Sequence, residues 1–179
     1  MKNEASLIRA IQKKQSRKAA DVLVRTYYRE IYVYLFRQTG NKEDAMDLTQ
    51  ESFIAALQSI DRFDDAKGSF RTWLYRVATN KLIDHRRKNA VQLLPLEEDI
   101  VQEKSNELSQ LADAQLLRQI EAYVSGFDET TQMIFRLHIY EDFSFREIAE
   151  IAEMPEASVK SKYYRLQKRI KEEFGNEWR

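Results

Sequence analysis

The sequence predicts an all-α protein of two small helical domains joined by a flexible acidic linker. Its 179 residues include only four glycines and two prolines, which favours helices over a turn-rich β fold. The apolar residues recur every three or four positions almost throughout, as one buried stripe of a helix requires. With 43% hydrophobic and 32% charged residues, the chain can form a packed core and is not globally disordered.

The net charge of zero conceals three segments of different charge. Residues 1–88 hold 18 basic and 11 acidic side chains, a net of +7. Residues 89–130 hold 2 and 9, a net of −7, and residues 131–179 hold 9 of each. This asymmetry predicts two basic, anion-binding surfaces separated by an acidic connector.

The first half of the chain predicts three helical segments. An apolar stripe runs from Val22 to Leu35, and Gly40 is a plausible residue to end that helix. Asn41 can cap the next helix, which extends to about Ile60. Residues 61–69 then form a polar loop, and Ser69 can cap a helix over 70–88 that is basic along its length. The aromatic residues near the start of that helix align with its apolar stripe, so we expect them to pack.

Residues 89–111 form the predicted linker, which is acidic and contains Pro95. Helical periodicity then resumes, with further helices at about 129–140, 145–152 and 157–174. Ser144 and Glu147 form a capping-box pair at the start of the 145–152 helix. A short turn and a helix free of acids over its middle complete a helix-turn-helix pattern, in which the second helix enters the major groove of DNA. A helical hairpin with a solvated basic face is the alternative.

Three segments in this order carry a family resemblance: DAMDLTQESFIAAL (44–57), DRFDDAKGSFRTWLYRVATNKLIDHRRK (61–88), and the helix-turn-helix after the linker. Together they resemble the extracytoplasmic-function sigma factors of bacteria, over roughly residues 20–88 and 112–172. The resemblance implies sigma domain 2 at 1–88 and sigma domain 4 at 112–179. It also implies an alternative sigma factor that binds core RNA polymerase and directs promoter-specific transcription initiation.

The resemblance assigns the two kinds of partner surface in the first domain. The polymerase would dock on a polar, acidic side of the 41–60 helix, for which a solvated acidic face is the alternative; the expected residues are Asp44, Asp47, Leu48, Gln50 and Glu51. We expect Met46 to pack in the core. Promoter DNA would be opened at its minus-ten element by the loop and the helix after it; the expected residues are Phe63, Asp64, Asp65, Lys67, Arg71, Thr72, Arg76, Asn80, Lys81, Arg86 and Arg87.

The second domain would read the minus-thirty-five element as duplex. The expected contacts lie on the last predicted helix, at Ser158, Lys160, Ser161, Tyr164, Arg165 and Lys168. Two departures from the family pattern occur here. Phe127 and Asp128 stand where Leu-Pro is frequent, and Glu153 stands where glycine is frequent in the turn, so we expect a different backbone conformation at Glu153.

Other partners and functions follow from the same resemblance. A cognate anti-sigma factor is an expected partner, and the linker is expected either to thread the polymerase channels or to be a solvated tether. Without cysteine, a glycine-rich phosphate loop or clustered metal ligands, we expect no catalysis, no cofactor, no metal and no small-molecule substrate. No apolar run is long enough for a signal peptide core or membrane insertion, so we expect a cytoplasmic protein. A helix-turn-helix regulator that acts without polymerase, and a sigma-like protein that does not initiate, remain the rivals.

Overall fold

The computed structural model describes residues 4–89 and 108–175, and every regular element within those ranges is helical. The elements are α1 (Glu4–Lys14), α2 (Arg17–Thr39), α3 (Lys42–Ser59), a short 3-10 helix (Ile60–Arg62), α4 (Phe70–Asn89), α5 (Leu108–Val124), α6 (Glu129–Ile139), α7 (Phe145–Ala152) and α8 (Glu156–Phe174). They form two compact units, the first built on α1 to α4 and the second on α5 to α8. The predicted linker lies almost entirely outside the described residues.

The boundaries of α2, α3 and α4 follow from local capping chemistry. Gly40 ends α2 in the left-handed conformation, with φ of 66°, which glycine adopts without a steric penalty. The Asn41 side chain accepts hydrogen bonds from the N–H groups of Glu43 and Asp44. Ser69 Oγ accepts the Thr72 N–H at 3.0 Å and so caps α4. The predicted caps at these three positions are confirmed.

The first unit packs around the facing sides of α2, α3 and α4. The Tyr34 and Tyr75 rings are fully buried with their centroids 4.9 Å apart. The Tyr34 hydroxyl lies 2.7 Å from Thr79 Oγ1, so the hydrogen-bonding group that burial takes from water has a partner. Helix α1, which was not among the predicted helices, adds Leu7, Ile8 and Ile11 to the buried apolar residues.

The second unit has its own core between α5, α6 and α8. It is formed by Ile120, Val124, Phe135, Leu166 and Ile170, all at most 2% exposed. Arg136 is buried beside this core, and its guanidinium pairs with the Glu121 carboxylate of α5. Within the two described ranges, none of the helices combines the length and apolar character needed to cross a membrane.

Candidate functional site

Helix α3 exposes the acidic ridge that the sequence predicts, formed by Asp44, Asp47, Gln50 and Glu51. Asp47, Gln50 and Glu51 are exposed, and they follow one another at helical spacing. Asp44 lies at the edge facing α4, with its Oδ2 3.5 Å from His85 Nε2. Glu51 lies 3.9 Å from Lys81 Nζ at the same edge. The ridge therefore presents carboxylates to solvent, and α4 partly neutralises one side of it.

Two apolar residues of α3 are placed differently from the sequence prediction. Leu48 is only 3% exposed, so little of its side chain is available for the polymerase contact predicted there. Met46, which we expected to pack, is 40% exposed, and Ile54 is 56% exposed. The reason is helical phase, because the buried stripe of α3 includes Leu48 and Thr49 but not the position of Met46. The ridge thus combines carboxylates with two exposed apolar side chains.

The 61–69 loop presents polar side chains above an aromatic base. Asp64 Oδ1 accepts the Ala66 N–H at 3.1 Å, and the Lys67 N–H bonds Asp64 O at 3.0 Å, which together close a tight turn. Asp64, Asp65 and Lys67 are all exposed. The three side chains can meet a partner, since the ion pairs they form are long and exposed, at 3.8 Å between Lys67 and Asp64 and 3.7 Å between Asp65 and Arg9.

Phe63 does not belong to the open surface of this loop. It is 9% exposed and packs in an aromatic cluster with Tyr27, Phe70 and Trp73. Its ring is perpendicular to that of Phe70, with the centroids 5.4 Å apart. Phe63 nevertheless lines a cavity beside the loop, so its assignment to a DNA pocket stays a prediction, while the prediction that Phe70 packs is confirmed. Trp73 is half-buried and closes the cluster.

Three predicted DNA contacts on α4 stabilise the fold. The Arg71 guanidinium pairs with Glu30 of α2 and lies 5.1 Å from the centroid of the Tyr75 ring. Arg86 Nη2 donates to the Gln38 carbonyl at 2.7 Å. Thr72 is 5% exposed beside the cap of the helix. These contacts hold α4 against α2 and cap its first turn, and the DNA contacts predicted for Arg71, Thr72 and Arg86 stay predictions.

The remaining predicted α4 positions lie toward solvent. Asn80 and Arg87 are exposed, and Arg76 and Lys81 are half-buried. Arg76, Asn80 and Arg87 fall within a narrow arc of the helix, since they are spaced by four and seven residues. Arg87 forms an ion pair with Asp84 at 3.0 Å, and because both side chains are exposed to solvent the pair is weak. This face of α4 can donate hydrogen bonds and positive charge to a phosphate backbone.

Helices α7 and α8 form the predicted helix-turn-helix. The capping box is present: the Glu147 N–H bonds Ser144 Oγ at 3.3 Å, and Glu147 Oε2 accepts the Ser144 N–H at 2.9 Å. The expectation of an altered turn at Glu153 is wrong. Glu153 has φ of 51°, the left-handed conformation that glycine adopts at such turns. Asp128 caps α6 with its side chain, which accepts the Thr131 N–H, so Leu-Pro is not needed for that helix to start.

Helix α8 has one buried and one open side. Val159, Tyr163, Leu166 and Ile170 are buried. The opposite side carries the predicted recognition face, formed by Ser158, Lys160, Ser161, Tyr164, Arg165 and Lys168. Ser158 is half-buried and the other five are exposed, with Tyr164 at 54%. The helix thus offers serine, tyrosine and basic groups together on one surface.

Local interactions set the charge and rigidity of the recognition face. The hydrogen bond from Lys160 to Glu156 raises the pKa of Lys160, which therefore stays protonated at neutral pH. The Tyr164 ring is held edge-on to Phe145 of α7, with centroids 5.6 Å apart. The Arg165 Nε–H donates to the Ser161 carbonyl at 3.1 Å, and the Arg165 side chain is otherwise exposed. The face is consequently positively charged and partly pre-ordered.

A groove between α1 and the 61–69 loop was not anticipated from the sequence. It has a volume of about 800 Å³, and its walls include Arg9, Gln12, Lys13 and Lys67. Gln12 Nε2 donates to the carbonyls of Ile60 at 2.8 Å and Phe63 at 3.0 Å. The helical spacing of the apolar residues in 7–11 is the sequence signal that could have predicted α1, and with it one wall of this groove.

The described residues contain no group of three or more His, Cys, Asp or Glu side chains that could hold a metal ion. The two histidines are in separate structural settings. His138 Nδ1 lies 2.9 Å from the Phe143 carbonyl, and the ring stacks on Phe145. His85 is half-buried beside Asp44.

Known sequence families match both units. The model for sigma-70 region 2 matches residues 23–91, and the model for sigma-70 region 4 matches residues 117–170. The ECF RNA polymerase sigma factor SigW of Bacillus subtilis is 30% identical over 169 residues, which are 88% of this chain and 89% of SigW. The RNA polymerase sigma factor YlaC of the same species is 31% identical over 162 residues, 87% of this chain and 91% of YlaC.

Solved structures share the fold at lower identity. The sigma factor RpoE of Bartonella quintana, solved with the anti-sigma factor NepR, superposes with a TM-score of 0.69 at 16% identity, covering 85% of this chain and 94% of RpoE. CnrH, solved with the cytosolic domain of CnrY, gives a TM-score of 0.64 at 18% identity, covering 96% of this chain and 97% of CnrH. These two structures support the all-helical fold.

Proposed function

The chain belongs to the extracytoplasmic-function sigma factors of the sigma-70 family, and on this premise we propose how its surfaces divide the work of initiation. As a member of that family, it is an alternative sigma factor that directs transcription. In our proposal, residues 1–88 bind core RNA polymerase and open the minus-ten element. Residues 112–179 read the minus-thirty-five element, and residues 89–111 link the two domains.

The acidic ridge of α3 is the proposed docking surface for the polymerase. Asp47, Gln50 and Glu51 are exposed there, and Met46 and Ile54 add apolar surface beside them. Apolar side chains surrounded by charged groups are typical of a protein interface with a dry centre and a polar rim. A partner with basic and apolar groups in a matching arrangement would satisfy both parts of this surface.

The 61–69 loop and the open face of α4 are the proposed site for the opened minus-ten strand. Unpairing a base costs a few kcal/mol, so the protein must bind the opened strand better than the duplex. Asp64, Asp65 and Lys67 can hydrogen-bond the edge of an unpaired base, while Arg76 and Arg87 can bind its backbone phosphates. The buried aromatic cluster gives the loop a firm base, which limits the entropy lost on binding.

Helix α8 is the proposed reader of the minus-thirty-five duplex. Arg165 and Lys168 can donate to guanine acceptors or to phosphates, and Ser161 can bond either kind of group. Tyr164 offers an apolar edge that is already held in place by Phe145. A recognition helix in the major groove requires such a mixed face with few acids.

One observation carries this division most directly: the first unit exposes an acidic ridge on α3 and basic side chains along α4. Surfaces of opposite charge on one small unit fit two different partners, a polymerase and a nucleic acid. A regulator that binds duplex DNA alone would have no use for the ridge. The matches to sigma-70 regions 2 and 4 also do not favour a regulator that acts without polymerase.

We further propose a cognate anti-sigma factor as a partner, by analogy with the sigma factor RpoE of the same fold, which was solved with the anti-sigma factor NepR. The chain would work in the cytoplasm, where core polymerase is found. It would carry no catalysis of its own, because RNA synthesis belongs to the polymerase.

The test is transcription in vitro of fragmented bacterial genomic DNA by core polymerase, with and without this protein, followed by sequencing of RNA 5′ ends. We expect new, discrete start sites that share two upstream motifs. Heat-inactivated protein is the control. The absence of new starts, combined with tight duplex binding by the protein alone, would overturn the proposal and favour a polymerase-independent regulator.

A further inference from the structure

The α1–α2 turn carries a dense cluster of positive charge that has no role in the proposed function. Four cations occur within six residues there, and we call them the basic corner: Lys13, Lys14, Arg17 and Lys18. All four are exposed, and none forms an ion pair with another described residue. The region 2 family match begins only at residue 23, so the basic corner lies outside it.

Two of these cations oppose the local stability of the fold. Arg17 and Lys18 occupy the first turn of α2, which contains no acidic residue. The N-terminus of a helix carries a partial positive charge, so cations there are unfavourable and carboxylates are favoured. Lys13 and Lys14, in the last turn of α1, are electrostatically favourable for that helix. The placement of Arg17 and Lys18 therefore needs a reason other than helix stability, and binding of an anion provides one.

Helix α1 is fixed against the proposed minus-ten loop. Gln12 donates to two carbonyls at the start of that loop, Ile60 and Phe63. Arg9 lies 3.7 Å from Asp65 within the loop. Lys13 and Lys67 line the same groove of about 800 Å³. The groove is of mixed charge, since Glu4, Asp61, Asp64 and Asp65 line it as well, and the excess of positive charge lies at its far end, in the basic corner.

The structure also decides between classes of anionic partner. A basic amphipathic helix such as α1 could in principle lie on a membrane. Its apolar residues Leu7, Ile8 and Ile11 are buried within the first unit, however, so no apolar face is left to enter lipid. The side chains that remain exposed on α1 are polar or charged, at Ser6, Arg9, Lys13 and Lys14, which suits a phosphate backbone better than a protein interface.

We infer that the basic corner binds the phosphates of single-stranded DNA next to the segment held by the 61–69 loop. This inference rests on the proposed function, since it extends the path of the opened strand beyond that loop. The strand would continue from the loop past the end of α1 to the corner, where cations would neutralise successive phosphates. Gln12 would act as a positioning residue that keeps α1 and the loop in register.

The experiment uses the full chain assembled with core polymerase on a pre-opened promoter taken from one of the mapped start sites. The test variant is Arg17→Gln/Lys18→Gln, which removes the two cations that oppose the helix dipole and so leaves the fold intact. The matched control is Arg25→Gln/Arg29→Gln, which removes the same charge from exposed positions farther along α2. The affinity for the template is measured across a range of salt concentrations and with single-stranded flanks of different lengths.

We expect the test variant to bind the template roughly 3- to 15-fold more weakly near 0.15 M salt. The slope of log affinity against log salt concentration should become shallower by about 1.4, as for two lost phosphate contacts on a single strand. The loss should disappear when the flank that reaches the corner is trimmed, and the control variant should bind like the unmodified protein.

Three results would overturn the inference: equal affinity for the test variant and the unmodified protein, an equal loss in the control variant, or weaker assembly of the test variant with polymerase in the absence of DNA. The last result would make the corner a polymerase contact. If the unmodified protein supports no new starts at all, it is the proposed function that fails, which is a separate outcome.

Discussion

At the scale of single residues, two arginines of similar sequence setting have different roles. Arg71 and Arg165 both lie on basic helices that the sequence associates with DNA. Arg71 is about two-thirds covered and engages Glu30 and Tyr75, whereas Arg165 is exposed and contacts its own helix. Their difference depends on which face of the helix each residue occupies, and helix identity alone does not give it.

The Arg71–Glu30 pair predicts a coupled loss of stability. We expect Arg71→Ala and Glu30→Ala each to lower the free energy of unfolding by about 1–3 kcal/mol, less than for a fully buried pair because both side chains keep partial contact with solvent. The double variant should lose less than the sum, since each single change leaves one charge unpaired. Urea unfolding measures all three; additive losses would show that the two residues act independently.

Replacement of Arg165 tests the recognition face. We expect Arg165→Ala to weaken promoter binding by the polymerase complex by about 1–3 kcal/mol if Arg165 contacts a base, with stability unchanged. The measurement compares the mapped minus-thirty-five element with single-base variants of it. A loss concentrated at one base position indicates base readout, while a uniform loss across all sequences would make Arg165 a phosphate contact.

Replacement of Asp47 tests the acidic ridge. Asp47 is exposed and makes no contact that would be lost from the fold, so Asp47→Arg should leave the unfolding free energy within about 0.5 kcal/mol. Assembly with core polymerase should weaken, because the ridge loses a carboxylate and gains a repulsive cation. Glu173→Arg, an equal charge change at an exposed site on α8, is the control. Normal assembly by Asp47→Arg would remove the docking assignment.

At the scale of elements, helix ends matter as much as helix faces. Asp128 caps α6, and its pKa reflects competing effects. Burial raises the pKa, but hydrogen bonds from Thr131 and the ion pair with Lys162 outweigh it, so the net pKa lies below its ordinary value. A carboxyl with a lowered folded-state pKa stabilises the fold above its unfolded pKa, and that stability is lost as pH falls through the folded pKa.

Substitution of Asp128 should therefore have a pH-dependent cost. At pH 7 we expect Asp128→Ala to lower the free energy of unfolding by about 0.5–2 kcal/mol, as for loss of a helix cap. The difference from the unmodified protein should narrow below about pH 3.9, where aspartate is protonated in the unfolded chain. Asp128→Asn keeps an acceptor and should cost less, and its cost should narrow over the same pH range because both variants lack the carboxylate. If the difference in unfolding free energy between Asp128→Ala and the unmodified protein stays constant down to about pH 2, below the ordinary pKa range of aspartate, the charge of Asp128 does not contribute to stability.

At the scale of the whole molecule, zero net charge is divided among segments of opposite sign. The +7 of residues 1–88 and the −7 of residues 89–130 cancel, so the free chain has no large overall attraction for DNA. We expect the protein alone to bind duplex promoter weakly, and the complex with core polymerase to bind specifically. Titration of labelled promoter with and without polymerase measures this difference. Equal, tight binding in both cases would favour a regulator over a sigma factor.

The sequence by itself determined the helices, their caps and the family. The helix caps depend only on neighbours within a few residues, as at Asn41, Ser69 and the Ser144–Glu147 capping box. The spacing of apolar residues repeats with each turn of a helix, so caps and helices can both be predicted from short stretches of sequence. The spacing of apolar residues also predicted which polar side of α3 and of α8 faces solvent. Helix α1 could also have been found from the apolar spacing within residues 7–11.

Only the tertiary structure decided which members of each face reach solvent. Leu48, Phe63 and Thr72 are buried, and Arg71 and Arg86 bridge to α2, because neighbouring parts of the fold cover part of each predicted surface. The turn at Glu153 likewise takes the left-handed conformation that its residue type disfavours. Contacts between residues 41 or 51 positions apart, such as Arg71 with Glu30 and Gln12 with Phe63, have no local signature, so they can be identified only from the folded structure.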